Sequence, residues 1–284
     1  MSRLQEVALQ RVAMDTIVNL TSVFEGIASM RIAQTKNQVL QSQQFFSELW
    51  QIYSQLRVDS LFRFGRTQSE KVIDKQLYIV ITSEGGFSGD IDQKLIKDML
   101  SKYDSDKHDI IVIGHHGAVQ LIQQGIAFKK YFTLPSKDRN INVQPLIKEA
   151  RAYKDTIVFY QTYKSLMVQE VKSINLNNAV QEEGENVGDA KKEYISEANY
   201  IFEPSTFDVV AHLERSMMQI ALSQVILDSK LAQYASRFRA MSMAKDRAND
   251  LHDDLAVLFN RTKRRIQDER LKEMINGLRK TRAS

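Results

Sequence analysis

The stretch best suited by residue type and spacing to do chemistry is glycine-rich: Ile81-Thr-Ser-Glu-Gly-Gly-Phe-Ser-Gly-Asp90. A strand that passes into a helix through such a stretch can offer backbone N–H groups to a phosphate. It has neither the lysine of a P-loop nor the G-x-G-x-x-G spacing, so a tight strand-to-helix turn is the simpler reading. His115 and His116 follow a strand-like run, but adjacent side chains diverge and no acidic cluster lies beside them, which is poor chelate geometry. His108, His212 and His252 are isolated, and no Ser–His–Asp ordering stands out. Asp253 and Asp254 sit among basic neighbours, as on a solvated helix face. Cysteine is absent, which excludes disulfides, thiolate metal sites and cysteine nucleophiles. The basic residues concentrate at the end: residues 261–284 hold nine Lys and Arg against three Asp and Glu. That segment reads either as a frayed cationic tail or as a docking surface for an acidic partner. Nucleic acid is a poor candidate, because the whole chain carries only +4 and no aromatic residues follow Phe259 for base stacking.

The elements that must position these residues fall into flanks and a middle. Only Gly26 interrupts the chain before Gly65, and neither Gly nor Pro occurs over residues 205–276. Between them lie nine glycines and all three prolines, so two uninterrupted flanks enclose a punctuated centre. Leu213, Met217, Ile220, Gln224, Leu227, Leu231, Tyr234, Phe238 and Met241 step by four and three, the seam of a long helix packed on another helix. After an extra step of three to Ala244 it continues through Ala248, Leu251, Leu255 and Leu258, an irregularity that overwinds a coiled coil locally. As one helix, residues 205–276 would span roughly 108 Å at 1.5 Å per residue. A globule of this length would be only about 50 Å across, so the flank is expected to project as a rod. Leu4, Val7, Leu20, Phe24, Ile27, Phe46, Leu49, Tyr53 and Leu56 offer the partner stripe. No uncharged apolar run is long enough for a membrane span, and the start has no signal-peptide core.

The centre alternates strand and helix, the pattern of an open α/β sheet. Strands are expected at 76–82, 108–114, 156–160 and 165–174, and helices at 90–101, 118–124 and 143–154, the last opened by Pro145. Residues 181–192 read as an acidic loop and 193–202 as a final strand. The fold class is therefore α/β: an antiparallel coiled coil of long terminal helices with an inserted Rossmann-like open α/β domain. The divisions are 1–65, 66–204 and 205–284.

Several short motifs in order resemble one family from end to end, the gamma subunit of rotary F-type ATP synthases. Leu20-Thr21-x-Val23-Phe24-x-x-Ile27-Ala28-x-x-Arg31 is similar to its first-helix pattern, and 81–89 to its signature I-T-S-D-R-G-L-C-G. Gly114, Gly117 and Gly125 resemble the glycines around its next strand-to-helix unit, and Tyr200-Ile-Phe-Glu-Pro-Ser205 its Y-x-Y-E-P segment. Ala235-Ser-Arg-Phe-Arg-Ala-Met241, Ala244, Ala248-Asn249 and Phe259-Asn260 follow its last-helix pattern. Two departures stand out: Arg247 replaces an asparagine of the pattern, and the end, Leu278-Arg-Lys-Thr-Arg-Ala-Ser284, is charged where the family has small apolar residues.

The resemblance implies a non-catalytic rotor shaft. It would be present in one copy within a head of alpha and beta subunits, above an epsilon-type foot subunit and a membrane c-ring. No cofactor, metal or nucleic acid is implied. Carried over by position, Arg31, Arg237, Arg239, Lys263, Arg264 and Arg265 would contact the catalytic head, and Tyr200, Phe202 and Glu203 the ring and foot. The place would be peripheral, on the cytoplasmic face of a bacterial inner membrane. The residues alone leave open a motor used for something other than ATP synthesis, or a nucleotide-binding α/β enzyme with coiled-coil arms.

Overall fold

The computed structural model of the protein describes residues 3–55, 73–134, 138, 141–176, 203 and 205–283. Two compact units are distinguished: residues 1–27 with 238–284, and residues 28–237. The element order is α1 (Arg3–Gln55), β1 (Ile73–Ile81), α2 (Ile91–Lys102), β2 (His108–Ile113), α3 (His115–Gln123), β3 (Lys130–Phe132), α4 (Gln144–Ala150), β4 (Tyr153–Tyr163), β5 (Gln169–Asn175) and α5 (Thr206–Ala283). The breaker-free flank expected over 205–276 is α5, a single helix of 78 residues. The acidic loop at 181–192, the strand at 193–202 and the division at 65 lie outside the described residues.

In the first unit the terminal helices run antiparallel, since partners of rising number on α1 meet partners of falling number on α5. Arg11 lies over the Phe259 ring at 5.9 Å, Asp15 reaches His252 at 3.3 Å, and Glu25 pairs with Lys245. The second unit holds the same antiparallel order, with Val39 against Leu227 and Leu231, and Phe46 against Met217 and Ala221. The α5 seam is buried at Met217, Gln224, Leu227, Leu231, Met241 and Ala248, but Leu251 and Leu258 are exposed.

The α1 stripe holds the expected Val7 and Phe46 but departs from expectation between them. The buried residues among those described are Val7, Thr21, Ala28, Thr35, Val39 and Phe46, spaced by fourteen, seven, seven, four and seven, whereas Leu20 and Ile27 are exposed. The buried heptad thus sits one residue beyond the apolar pair. Small side chains let two helices approach closely, so Thr21, Ala28 and Thr35 form the seam although they are the less hydrophobic choice.

The sheet of the second unit has the order β3-β2-β1-β4-β5. The first four strands are mutually parallel and β5 is antiparallel to β4. Alternation divides its core. Leu77, Ile79 and Ile81 face α4 and α5, with Leu146, Ile147, Leu222, Val225 and Ile226. Tyr78 and Val80 face α2 and α3, with Leu95, Met99, Ala118 and Leu121. A sheet buried on both faces explains the near-continuous apolar runs in β1 and β2.

Several boundaries depart from expectation: β4 runs over Tyr153–Tyr163 rather than 156–160, and β5 begins at Gln169 rather than 165. The helix expected to reach 154 ends at Ala150, where the Arg151 N–H closes on Ile147 O and the Ala152 N–H on Glu149 O. Tyr153 then begins β4 by pairing with Ile73. β3 was not expected; three residues are too few to show a period. α3 starts at His115 rather than 118, because Gly114, at φ +100°, turns the chain directly out of β2.

Candidate functional site

Open parallel sheets bind ligands beyond the carboxyl ends of their strands, where the strand order reverses. Here the reversal lies between β1, which leads outward to β2, and β4 on its other side. The glycine-rich loop 82–90 leaves the end of β1 at that place. Its polar groups are turned inward. Thr82 Oγ1 accepts the Gly117 N–H at 2.9 Å and bonds the carbonyls of Ile113 and Gly114. Glu84 accepts the His115 N–H at 3.3 Å, which places a carboxylate at the start of α3.

Asp92, in the first turn of α2 and 1% exposed, is the centre of the crevice. Its carboxylate accepts the Ser83 N–H at 3.3 Å, the Ser83 hydroxyl, the Gln161 amide at 2.9 Å, and lies 2.9 Å from His116 Nδ1. Gln161, on β4 and fully buried, passes the network to α5: Ser229 Oγ donates to Gln161 Oε1, and Gln233 Nε2 reaches Gln161 Oε1 at 3.3 Å and Ser229 Oγ at 3.1 Å. A buried carboxylate is tolerated only when hydrogen-bonded in this way.

One turn further along α5, Ser236 donates to Ser88 O at 2.7 Å. Arg237 donates to the carbonyls of Gly86 and Gly85 at 3.2 Å each and to Ser88 Oγ at 3.1 Å. Its guanidinium also lies 5.9 Å from the Tyr234 ring centre. Burial pulls the Arg237 guanidinium below its ordinary range, opposed by Tyr234 and Asp92. Burial pushes the Tyr234 phenol up, with Asp138 adding to the rise and Arg31 and Arg237 opposing it. A phosphate in this crevice would meet two carboxylates, and carbonyls already taken by an internal guanidinium. The loop is the strand-to-helix turn of the simpler reading, with a helix of its own chain in the place of a ligand.

The remaining sequence-derived candidates divide by place. Arg31 is half-buried in the same unit as Arg237 and close enough to Tyr234 to act on it. Arg239, Lys263, Arg264 and Arg265 are exposed in the first unit, and Arg265 pairs with Glu269 at 3.1 Å. Glu203 is exposed; Tyr200 and Phe202 lie outside the described residues. His115 is exposed and His116 serves Asp92, and no group of three His, Cys, Asp or Glu among the described residues could hold a metal.

A second buried polar contact joins α1 and α5 to residue 138: Lys230, 2% exposed, pairs with Asp138, which accepts the Thr35 hydroxyl at 2.9 Å. Sequence reasoning passed over Asp92, Gln161, Ser229, Lys230, Gln233 and Ser236. A signal was present in Ser229, Gln233 and Ser236, which step by four and three two residues beyond the apolar seam at Leu227, Leu231 and Tyr234.

A family profile described as ATP synthase matches residues 3–279. This chain belongs to the ATP synthase gamma family. The ATP synthase gamma chain of Staphylococcus aureus strain JH9 is 26% identical over 217 residues, covering 72% of this chain and 73% of that one. In fold, the chain is similar to one in the Euglena gracilis mitochondrial ATP synthase OSCP/F1/c-ring structure, with TM-score 0.66, 14% identity, and 98% and 95% of the two chains covered. It is also similar to one in the central stalk and c-ring structure of the Tetrahymena thermophila mitochondrial ATP synthase, with TM-score 0.55, 16% identity, and 79% and 99% covered. The long terminal helices and the mostly parallel sheet are thus the gamma-family fold, and the gamma chain is a non-catalytic subunit.

Proposed function

We infer that this chain is the central rotor shaft of an F-type ATP synthase, coupling rotation of a membrane ring to the cycling of catalytic sites on other subunits. The family match over residues 3–279 is the observation that supports this most directly. The mechanism follows from asymmetry. A shaft turning within a ring of equivalent subunits contacts them unequally, and only unequal contact can shift an equilibrium between open and closed nucleotide sites. Rotation driven by proton or sodium flow takes the sites through binding, synthesis and release. Hydrolysis turns the shaft the other way.

The head-facing surface is read on the first unit. Leu9, Val12, Ile17, Leu20 and Val23 on α1, and Leu251, Val257 and Leu258 on α5, are exposed. An extended apolar face of this kind suits a partner surface. Lys263, Arg264 and Arg265 supply positive charge there, suited to an acidic loop of a catalytic subunit. Arg31, Arg237 and Arg239 are read at the lower rim of that contact. Tyr200, Phe202 and Glu203 are read as the contact to the ring and to an epsilon-type foot subunit. On this reading residues 1–65 and 205–284 are the coiled coil and 66–204 the inserted domain. No helix among the described residues is long and apolar enough to cross a membrane. As a gamma-family shaft, the chain is read as associated with the membrane peripherally, through the ring. The cytoplasmic face of a bacterial inner membrane is the place this reading gives. A tag on this chain tests it: co-purification of two kinds of large nucleotide-binding subunit in threefold excess supports the reading. Recovery of the chain alone, with ATPase activity of its own, overturns it.

A further inference from the structure

Apolar contact and hydrogen bonding resist different motions. The hydrophobic effect is non-directional, so a helix held on a sheet by Leu222, Val225 and Ile226 resists being lifted off but gains little resistance to rolling about its own axis. Hydrogen bonds to fixed acceptors at the rim of the sheet resist the roll, because they weaken steeply with distance and angle. α5 has such bonds to the sheet itself, from Ser229 and Gln233 to Gln161 of β4, and one turn further on to its rim, where Arg237 and Ser236 hold four acceptors on Gly85, Gly86 and Ser88 of the loop 82–90. The planar guanidinium has donors in a fixed fork, which a flexible ammonium lacks.

The loop itself is set against its own preference. Phe87 lies between the residues that Arg237 binds, at φ +66° and with 63% exposure. A non-glycine residue in the left-handed region persists only where its surroundings hold it. On either side of it, α5 holds the loop through Gly86 O, Ser88 O and Ser88 Oγ.

We propose that Arg237 is a torsional clamp, a positioning residue that locks the first strand-to-helix loop of the α/β domain to the C-terminal helix so that the two turn as one body. The clamp rests on the rotor reading for its purpose but not for its existence, and two measurements keep the two apart. The chain has no cysteine, so Lys97→Cys on the exposed side of α2, labelled on the free chain before assembly, gives the one attachment point for a rod on this chain. With the catalytic head of the assembled complex immobilised, the angular variance of the rod at a catalytic dwell reads the stiffness of the link. Arg237→Met is expected to raise that variance about twofold, Arg237→Lys to restore it only in part, and Arg215→Met, an exposed arginine on the same helix, to leave it unchanged. Unchanged variance in Arg237→Met overturns the clamp.

The second measurement is amide hydrogen exchange on the full free chain. Exchange is expected to speed up in 82–90 while the amides of β1 and β2 keep their protection. A uniform rise across the domain, in both Arg237→Met and Arg237→Lys, means a general structural role and overturns the clamp as well. Failure of the unmodified chain to assemble with a nucleotide-hydrolysing head would count against the rotor reading, and the exchange result would then decide the clamp alone.

Discussion

Gly117→Ala is expected to destabilise the α/β domain although it improves helix propensity. Gly117 is the third residue of α3, where alanine in place of glycine is worth about 1 kcal/mol to a helix. A Cβ there would lie 2.6 Å from Thr82 Oγ1 and 2.7 Å from Thr82 Cγ2, where ordinary contact begins at 3.4 Å. Thr82 would have to retreat by roughly 0.8 Å. It cannot do so freely, because it is fully buried and its hydroxyl accepts the Gly117 N–H while bonding the carbonyls of Ile113 and Gly114. Overpacking of this kind costs about 1–3 kcal/mol, and displacing the hydroxyl loses about 1 kcal/mol more. After the propensity gain the net loss is about 2 kcal/mol. Native-state hydrogen exchange of the β1 and β2 amides reads it as a fall in opening free energy. Thr82→Ala removes both clashing atoms, so the double variant should be more stable than the sum of the singles by at least about 1 kcal/mol. A Gly117→Ala chain at least as stable as the original would refute the steric argument, and strict additivity would refute the assignment to Thr82.

Three further outcomes are expected. Burial, then the charge of Lys107, holds the His108 imidazole below its ordinary 6.5, with Asp104 opposing, while Nδ1 accepts the Asp104 N–H at 2.9 Å. The unfolded chain therefore takes up the proton first, so domain stability is full above about pH 6.5 and declines as the pH falls below it. Urea midpoints should drop between about pH 7.5 and about pH 5.5, and less so in His108→Gln. Burial pushes the Asp228 carboxyl above its ordinary range, with Thr162 and Lys172 opposing. Ionising it costs stability as the pH rises through that interval, so Asp228→Asn, which can still accept the Thr162 hydroxyl bond, should raise the melting temperature at neutral pH. Lys263, Arg264 and Arg265 are exposed, and contacts of that kind are worth about 0–1 kcal/mol each. Single alanine replacements should leave rotation-coupled ATPase within about fivefold of the original, and near-complete loss in any one would contradict coupling governed by shape.

The legible parts of this fold were those with a long or strict pattern. α5 could be read because a breaker-free flank with a four-three seam has few alternatives, and β1 and β2 because Leu-Tyr-Ile-Val-Ile and Ile-Ile-Val-Ile are buried on both faces. The α1 seam was misread by one residue, since hydrophobicity favours Leu20 and Ile27 whereas close helix approach favours Thr21 and Ala28. The end of α4 was misread because parallel pairing to Ile73 claimed Tyr153, and long-range pairing leaves no local trace. The crevice was half legible. The loop stood out by its glycines, but its partners on α5 are some 150 positions away, and a buried Gln161 or Ser229 looks like any other polar residue until a carboxylate is placed beside it.

The sheet face formed by Leu77, Ile79, Ile81 and Val158 is roofed partly by Leu222, Val225 and Ile226. Those residues leave the ribosome some sixty positions after β4 has been made. At about 5–20 residues per second, the nascent chain holds an unroofed greasy side for roughly 3–12 s. Biogenesis of this subunit therefore includes an interval of stickiness that the finished molecule no longer displays, and a chaperone that binds apolar strands would find its moment there.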